Sequence, residues 1–425
     1  MSWAAPDNVK LAVVGLGYVG LPLAIAFARH SEVIGYDINR KRVSELNQGH
    51  DSTGEANAEE LSSGQFTATD ELSEIRHCNV YIVTVPTPVD RHNYPDLTPL
   101  VHATRAVASC LQHGDCVIYE STVYPGATEE TCVPLLEEVS GLGFNVDFAV
   151  GYSPERINPG DRVHRLPDIV KVTSGSSAEA AEFVDGLYQK IITAGTHLAP
   201  SIRVAEAAKA IENTQRDVNI ALVNELARMF KRMDLDTESV LAAAASKWNF
   251  LDFKPGLVGG HCIGVDPYYL IHKAQEHGYH PELILAARRI NNSMADHVTG
   301  ELLKLFARRQ IHVVGARVLV LGVAFKENCP DLRNTQVATI VHELQRMHAN
   351  VEIYDPWVDS EQLSNETGLH LSDHLGSDYD AVVLAVAHRE FVEMGADGVR
   401  KLLRKGGVVY DVKCVLPAEL VDGRL

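Results

Sequence analysis

The sequence lacks the features that mark several classes of protein. Its seven cysteines include no CxxC pair, which argues against a structural zinc site, and their odd number indicates free thiols. No apolar run approaches the roughly 18–20 residues of a membrane span. The first ten residues contain neither a basic nor an apolar stretch, so we expect no secretory signal and a cytoplasmic protein.

Basic residues are outnumbered as well. The chain has 38 Lys and Arg against 56 Asp and Glu, a formal net charge of −18, which argues against nucleic acid or a membrane surface as partner. An anionic substrate would therefore need a local cluster of Lys and Arg. The remaining composition, 46% hydrophobic and 22% charged, is that of a globular protein, and 425 residues predict two or three domains.

Short apolar runs alternate with helical patterns in the first part of the chain. Strands are predicted at 10–14, 33–36, 81–85, 116–119 and 147–151. This alternation predicts a parallel, doubly wound sheet. Sheets of this kind bind ligands at the carboxyl ends of their strands, so the residues that follow each strand are candidates for the site.

Gly15, Gly17 and Gly20 follow the first predicted strand and open a predicted helix at 21–29. In this spacing the first glycine allows a tight turn and the second lets the backbone approach a pyrophosphate. The third allows close packing of the helix on the strand. The helix then directs the positive end of its dipole at the phosphates. The pattern predicts a dinucleotide site.

Asp37 ends the second predicted strand. Its carboxylate there would accept hydrogen bonds from a ribose diol and repel a 2′-phosphate, so the position favours NAD over NADP. Arg40 and Arg42 follow closely, and because their positive charge could bind a 2′-phosphate, NADP stays open as the alternative cofactor.

The middle of the chain is helical in character. Residues 203–233 contain no Gly or Pro, and we predict one helix of about 30 residues, roughly 45 Å long. A helix of this length between domains serves as a spine and a subunit contact. Helical patterns continue through 239–245 and 281–308.

A second α/β pattern begins near Arg317, with strands predicted at 318–321, 351–354, 381–386 and 407–411. Phe325 stands where a pyrophosphate-binding glycine would be expected, so we expect no dinucleotide in this half. The predicted fold class is α/β, with two Rossmann-like doubly wound domains joined by a long central helix and a helical middle domain. The predicted domains are 1–200, 201–310 and 311–425.

Polar residues follow three of the predicted strands. Thr87 and Thr122 could contact a cofactor or orient a water, or could cap helices. Glu155 and Arg156 lie in the loop 153–161, where Glu155 is either a general base or the ion-pair partner of Arg156.

Lys209, Asn213 and Arg216 are spaced i, i+4 and i+7 in the predicted spine helix and share one of its faces. They form either a solvated face or a polar stripe that stabilises a developing oxyanion.

Cys262 ends the glycine-rich loop 253–262. A lone cysteine commonly packs in a core, but one that follows such a loop at a helix N-terminus is a candidate nucleophile. Asp266 lies four residues further on and would share a helix face with it. His261 is adjacent, but no other Cys or His recurs at ligand spacing, so we predict no metal.

Together these motifs resemble those of the UDP-glucose/GDP-mannose dehydrogenase family, four-electron oxidoreductases of nucleotide sugars. The resemblance runs from Val9 to about Pro417. It is carried by the glycines at 15, 17 and 20, Val85-Pro86-Thr87-Pro88, Glu120-Ser121-Thr122, Pro154-Glu155-Arg156, Lys209-x-x-x-Asn213, Gly259-Gly260-His261-Cys262, and Phe325-Lys326 with Arg333. Segments 152–161 and 211–217 look most like the branch that acts on UDP-N-acetylhexosamines, UDP-N-acetylglucosamine in particular.

The resemblance implies roles for these residues. Cys262 would form a thiohemiacetal and then a thioester. Proton transfer and stabilisation of the oxyanion or its water would involve Lys209, Asn213, Glu155, Thr122 and Asp266. NAD would be lined by Gly15, Gly17, Tyr18, Val19, Gly20, Asp37, Arg42, Thr87, Thr122 and Arg333. The UDP-sugar would be held by Arg156, Ile157, Lys209, Asn213, Arg216, Phe253, Gly259, Phe325 and Lys326.

Two positions depart from the family pattern. Pro159 stands where glucose-specific members carry a second Glu, and Gly264 stands where the family often has Pro or Phe. Both departures move the expected substrate away from UDP-glucose itself.

The function expected is NAD-dependent oxidation of C6 of a UDP-N-acetylhexosamine, UDP-GlcNAc or UDP-GalNAc, to the uronic acid. The product would serve a surface polysaccharide such as a capsule or O-antigen, and the enzyme would be a homodimer. UDP-glucose or UDP-ManNAc is the alternative substrate. Two other classes stay open: a two-electron 2- or 3-hydroxyacid dehydrogenase, which would not need Cys262, and a non-catalytic sensor of NAD or nucleotide sugar.

Overall fold

The computed structural model describes residues 3–6, 8–62, 64–157 and 165–425, and the chain divides into two compact units. Unit 1 comprises Met1–Glu212 and Tyr268–Tyr279, and unit 2 comprises Asn213–Pro267 and His280–Leu425. The three-domain division expected from the sequence stays a prediction. Within the described ranges, no helix is long and apolar enough to cross a membrane.

Unit 1 is built on an eight-stranded sheet. Its strands are β1 (Leu11–Val14), β2 (Val33–Tyr36), β3 (Phe66–Thr69), β4 (Val80–Val83), β5 (Cys116–Tyr119), β6 (Ala149–Tyr152), β7 (Lys171–Gly175) and β8 (Thr196–Leu198). They lie in the order β3-β2-β1-β4-β5-β6-β7-β8, and β6 and β7 pair antiparallel. The order of the first six strands is that of a dinucleotide-binding sheet, which reverses between β1 and β4 and binds its ligand at that point.

Helices cover this sheet. They are α1 (Gly20–Ala28), α2 (Arg40–Asn47), α3 (Ala58–Ser62), α4 (Thr98–Ala108), α5 (Val133–Ser140) and α6 (Ala178–Tyr188). Strands β1, β4, β5 and β6 are buried along their whole length, as expected for central strands covered on both faces.

The helical segment predicted over 203–233 is α7 (Ile202–Arg232). After it come α8 (Thr237–Ala245), α9 (Asp266–Glu276), α10 (Glu282–Asn292) and α11 (Met294–Arg309). The pattern predicted over 281–308 is divided at Ser293. The Ser293 hydroxyl donates to the Ile290 carbonyl at 2.8 Å and accepts from Arg228 Nη1 at 3.0 Å, which closes α10 in a turn.

Unit 2 contains a five-stranded parallel sheet. Its elements are β9 (Arg317–Leu321), α12 (Gln336–Arg346), β10 (Asn350–Tyr354), α13 (Ser360–Thr367), β11 (Tyr379–Leu384), α14 (Arg389–Lys401), β12 (Leu403–Asp411) and β13 (Gly423–Arg424). The strand order β10-β9-β11-β12-β13 is the other common order of doubly wound folds. The predicted fold class, two Rossmann-like sheets with a long central helix and helical middle, is confirmed.

Helix α7 has an unusual distribution of polarity. Six polar side chains on it are at most 6% exposed: Glu206, Lys209, Asn213, Thr214, Asp217 and Asn224. At about 100° per residue, all of them except Thr214 lie within roughly 80° of one another. The opposite face, centred about 170° away, carries apolar side chains that are 44–57% exposed: Val204, Ile211, Leu222, Met229 and, just past the helix end, Met233.

Asp115, which precedes β5, generates a prediction about stability. It is 4% exposed, its carboxyl accepts one hydrogen bond, from the Gln112 amide at 2.7 Å, and burial raises the pKa of this carboxyl to about 6. Because the folded-state pKa lies above the unfolded value, the stability supplied by the protonated carboxyl is lost as pH rises through about 6. Asp115→Asn keeps the acceptor and removes the charge.

We expect Asp115→Asn to be more stable than the parent by about 1–3 kcal/mol at pH 8, with a smaller gain at pH 5. Thermal unfolding at the two pH values measures this. An equal change in stability at both values would show that the Asp115 proton does not contribute.

Candidate functional site

The three glycines after β1 each have a separate structural reason. Gly15 has a φ of +96°, which opens the turn. A methyl group at Gly20 would overlap the Gly15 carbonyl oxygen and the Thr84 hydroxyl, so this position brings helix and strand together. A methyl at Gly17 would meet nothing within 4 Å. Gly17 therefore presents bare backbone to a ligand, and the residue before α1, Val19, makes no side-chain cap.

These features fit the pyrophosphate of a dinucleotide. The uncapped first turn of α1 leaves amide donors for phosphate oxygens. Thr84, which sequence reasoning missed, donates its hydroxyl to the Gly15 carbonyl at 2.7 Å and fixes the turn. Tyr18 and Val19 are half-buried in the same turn.

Asp37 lies beside this turn at the end of β2. Its two carboxylate oxygens accept from the Leu16 and Asn39 amides, each at 2.8 Å. Each oxygen keeps a second lone pair, which can accept from a ribose diol. Arg42 is buried, donates to the Leu16 carbonyl at 2.9 Å and pairs with Asp51 at 2.6 Å, while Arg40 pairs with Asp70 at 2.9 Å. With both guanidiniums held by carboxylates, the geometry favours NAD.

Thr87 and Thr122 follow the neighbouring strands β4 and β5. The Thr87 hydroxyl donates to the Thr122 carbonyl at 2.6 Å, and the buried Tyr269 hydroxyl donates to the Thr87 carbonyl at 2.6 Å. Neither threonine caps a helix, because the next helices along the chain begin only at Thr98 and, with the π-helical turn Thr128–Cys132 that leads into α5, at Thr128. The two strand ends are therefore tied together at the edge where ligands bind.

Glu155 follows β6 and is 6% exposed. Its Oε1 accepts from the backbone amides of Arg156 and Ile157. Its Oε2 is buried and has no hydrogen-bond partner among the described residues. A carboxylate fixed through one oxygen and open at the other is suited to accept a proton.

Arg156 does not pair with Glu155. Its guanidinium lies 2.7 Å from Glu212 and donates to the Val170 carbonyl at 2.8 Å. The ion-pair interpretation of Glu155 and Arg156 is therefore wrong. Ile157 packs against the apolar core of unit 1. Residues 158–161, including Pro159, lie outside the described residues.

Lys209 and Asn213 are buried on α7, at 6% and 5% exposed, whereas Arg216 is exposed. The solvated-face interpretation is wrong for the first two. Asn213 donates its amide to Asp266 Oδ2 at 2.6 Å and accepts from Arg216 Nη1 at 3.0 Å. This fixes which way the amide points and leaves its second N–H hydrogen available to another acceptor.

Cys262 lies in the turn of residues 260–265 that leads into α9 and is half-buried. Its carbonyl accepts from the amides of Val265 at 3.0 Å and Asp266 at 2.8 Å. This i to i+4 bond places Asp266 one helical turn from Cys262, as predicted. Asp266 is 2% exposed.

Phe325 packs so closely against Gly259 and Gly260 that neither position has room for a side chain. A methyl at Gly259 would lie 2.8 Å from the Phe325 Cβ, and one at Gly260, whose φ is +79°, would lie 2.9 Å from its ring. Gly260 is also held by its neighbours: its amide donates to the Arg333 carbonyl at 2.8 Å, and its carbonyl accepts from Asn334 at 3.1 Å. The Arg333 guanidinium pairs with Asp331 at 2.5 Å.

A buried polar network that sequence reasoning missed anchors the other end of this loop. Asn224 on α7 accepts from the Gly256 amide at 2.8 Å and donates to the Gly256 carbonyl at 3.0 Å. Asn291 continues the network from Asn224 to Asp217, which pairs with Arg288 at 2.6 Å. The signal that could have revealed it is the spacing of Asp217 and Asn224, which continues the stripe of Lys209 and Asn213 along one helix face.

A shallow concavity, part of it open to solvent, lies at the carboxyl ends of the unit 2 strands. Its lining includes the predicted substrate residues Gly259 and Phe325 and two that sequence reasoning missed, Gln336 and Lys413. Gln336 donates to the Val258 carbonyl at 2.8 Å. Lys326 and Phe253 are half-buried. Their contact with a substrate stays a prediction.

Five of the other cysteines have a raised thiol pKa, which disfavours the reactive thiolate. Burial raises the pKa of Cys78 and Cys132 to about 12 and of Cys414 to about 11. It also raises the pKa of Cys116 and Cys329. All seven thiols are free, and Cys262 and Cys414 are the two that are not buried. No group of three metal-ligating side chains occurs in the described part of the chain.

Comparisons with known proteins agree with this geometry. The chain matches the three domain models of the UDP-glucose/GDP-mannose dehydrogenase family: the NAD binding domain at 9–192, the central domain at 203–293 and the UDP binding domain at 319–418. It is 59% identical to UDP-N-acetyl-D-glucosamine 6-dehydrogenase of Pseudomonas aeruginosa, over 98% of this chain and 100% of that one. It is 56% identical to the Salmonella typhi protein of the same name, over 99% of each.

Solved structures are similar over the same length. UDP-D-ManNAc dehydrogenase from Pyrococcus horikoshii has a TM-score of 0.88 at 33% identity and covers 97% of this chain and 98% of that one. The UDP-N-acetyl-mannosamine dehydrogenase Cap5O from Staphylococcus aureus has a TM-score of 0.83 at 30% identity, with 98% of each chain covered.

The glycine turn yields a prediction that separates folding from binding. Gly17→Ala meets no neighbouring atom within the chain, so we expect an unchanged melting temperature but NAD affinity at least about tenfold lower, because the methyl would face the pyrophosphate. Gly20→Ala, the matched control, overlaps Gly15 and Thr84 and should lower the melting temperature. Calorimetric NAD titration and thermal unfolding of both variants test this. Tight NAD binding by Gly17→Ala would place the pyrophosphate elsewhere.

Proposed function

The chain belongs to the UDP-glucose/GDP-mannose dehydrogenase family, and we propose that within it the enzyme oxidises C6 of UDP-N-acetylglucosamine to the carboxylate. The proposal of this sugar is supported by two full-length relatives at 59% and 56% identity that carry that activity in their names. Relatives named for UDP-N-acetyl-D-mannosamine are 35% identical or less. UDP-ManNAc is therefore the less favoured substrate.

The observation that carries the four-electron chemistry is the half-buried Cys262 on a turn held from both sides. NAD, when bound, supplies the hydride acceptor for each oxidation. The Cys262 sulfur adds to the C6 aldehyde and forms a C–S bond. Oxidation of that adduct gives a thioester, and water breaks the C–S bond to release the carboxylate and the thiol. Each sugar thus loses two hydrides and takes up one water.

The polar residues have complementary roles in this proposal. Glu155, with one open oxygen, takes the proton of the attacking water, and Thr122 orients that water. Lys209 and Asn213 stabilise the oxyanion of the thiol adduct. Asp266 holds the Asn213 amide at 2.6 Å and so determines where its remaining N–H points.

The substrate-binding roles are also part of the proposal. Phe325 and Gly259 line the concavity of unit 2, and Lys326 adjoins Phe325 in the chain. Arg156, Ile157, Arg216 and Phe253 are proposed as further contacts of the UDP-sugar, and Arg42, Thr87 and Arg333 as contacts or supports of NAD. The cations among them supply the local positive charge that a chain of net charge −18 needs for an anionic substrate.

Replacing the thiol tests the chemistry. With Cys262→Ser we expect the rate of uronate formation from UDP-GlcNAc to fall at least about 1,000-fold, because the hydroxyl is a far weaker nucleophile. Cys414→Ser is the matched control, since Cys414 is the other half-buried thiol and should leave the rate unchanged. Uronate is quantified by chromatography. Normal uronate production by Cys262→Ser would exclude the thioester route.

We also propose a homodimer formed through the exposed apolar face of α7. Val204, Ile211, Leu222 and Met229 share one face of the helix, and Trp248 nearby in sequence is 91% exposed. A second copy of the chain would cover this surface.

Charged substitutions test the dimer. Leu222→Glu with Met229→Glu should convert a particle of twice 46.5 kDa into a monomer, as measured by light scattering after gel filtration. Two glutamates at exposed positions elsewhere, Leu283→Glu and Val314→Glu, are the control. A monomeric parent protein would contradict the proposal.

We place the enzyme in the cytoplasm, because the thiol that carries the chemistry must stay reduced. The product, a nucleotide-activated uronic acid, is suited to a glycosyltransferase, and we propose a surface polysaccharide such as a capsule or O-antigen as its destination.

A further inference from the structure

A buried ion pair between Lys171 and Glu120 contacts Pro154, the residue that precedes Glu155. Lys171, the first residue of β7, is 2% exposed, and its Nζ lies 2.7 Å from Glu120 Oε2. The same Nζ donates to the Pro154 carbonyl at 3.0 Å. The Tyr188 hydroxyl donates to the other oxygen of Glu120. Lys171, Glu120 and Tyr188 thus form a closed network with almost no exposure to solvent.

Such a pair is costly to bury. Removing two charges from water is offset only when the geometry and the additional hydrogen bonds are favourable, and apolar side chains of similar volume are often as stable. Lys171 occupies a fully buried position of a strand, where valine or isoleucine would ordinarily pack. The stability of unit 1 therefore does not explain why a lysine stands here.

The pair connects two chain segments that carry proposed proton-transfer residues. Glu120 follows β5 and precedes Thr122 by two residues, and Pro154 follows β6 and precedes Glu155 directly. We propose that Lys171 and Glu120 are a positioning pair that holds the Pro154 carbonyl and thereby directs the open Oε2 of Glu155. This inference rests on the proposed role of Glu155 in the reaction.

The pair also sets the charge around Glu155. Glu120, Tyr188 and Glu55 each interact electrostatically with this carboxylate, and each of them is negative when ionised. Burial raises the pKa of Glu120, and the Lys171 cation opposes that shift. Arg156 is engaged by Glu212, and Arg165 acts on Glu55. Lys171, 2.7 Å from Glu120, supplies a positive charge that balances this carboxylate.

Charge and geometry can be separated with three variants. Lys171→Met removes the cation that opposes the raised pKa of Glu120, so the negative charge that remains on this carboxylate should move the acid side of the kcat–pH profile to higher pH. Glu120→Gln leaves the cation uncompensated, so the same limb should move to lower pH. The double variant removes both charges, and its profile should keep the parent position.

The double variant isolates positioning. It removes the donor to the Pro154 carbonyl, so we expect kcat to fall about 10- to 100-fold, with KM for the UDP-sugar changed less than about threefold. Because neither charge is left unpaired, this variant is expected to fold, which circular dichroism and thermal unfolding verify. Lys171→Arg keeps a cation and hydrogen-bond donors, so its kcat should lie between that of the double variant and that of the parent.

Thr173→Val is the matched control. Thr173 lies two residues along the same strand and on the same face as Lys171, is fully buried, and donates to Asp185 at 2.6 Å. It removes a buried hydrogen bond without altering the charge near Glu155. Its pH profile and kcat should match those of the parent.

The outcomes distinguish an error in the proposed role of Glu155 from an error in the proposed role of the Lys171–Glu120 pair. If Glu155→Gln leaves kcat unchanged, the proposed role of Glu155 is wrong. If Glu155→Gln abolishes turnover but the single variants shift the profile in the same direction or not at all, and the double variant keeps its kcat, the positioning pair is overturned. Opposite shifts with a slow double variant support it.

Discussion

The structure depends on the placement of polar side chains on the buried face of α7. Glu206, Lys209, Asn213, Asp217 and Asn224 would each be costly to bury without partners, so the surrounding chain must supply them. Glu206 accepts from the amides of Gly126 and Thr128, Asn213 donates to Asp266, and Asn224 holds both backbone groups of Gly256. The helix thus holds the turn at Gly126, the start of α9 at Asp266 and the loop at Gly256.

Hydrogen bonds hold the loop before Cys262 at several points although it is rich in glycine. Asn224 pins the loop at Gly256, Arg333 and Asn334 pin it at Gly260, and Phe325 fills the space that side chains at Gly259 and Gly260 would occupy. A thiol on a fixed turn can meet a carbonyl carbon in one orientation, which is what covalent catalysis requires. The proposed positioning of Glu155 by Lys171 follows the same principle in unit 1.

Periodicity and turn chemistry predicted most of the fold. The strands at 33–36 and 116–119 were predicted to the residue, since both are apolar runs in the middle of a sheet. Strands β3, β7 and β8 were missed, because Phe-Thr-Ala-Thr, Lys-Val-Thr-Ser-Gly and Thr-His-Leu carry polar residues that hide the pattern. Lys171 is such a case: its charge argued against a buried strand, and only the tertiary contact with Glu120 explains it. Lys209 is a second buried lysine, and its spacing in the sequence alone does not predict that it is buried.

The central claim is that Cys262 carries the substrate covalently between two oxidations. Rapid quenching of the enzyme during turnover of UDP-GlcNAc, followed by peptide mass spectrometry, measures this directly. The account predicts a nucleotide-sugar acyl adduct on the peptide that contains Cys262, together with two NADH for each sugar consumed. Two NADH for each sugar with no adduct at Cys262 at any quench time would contradict it.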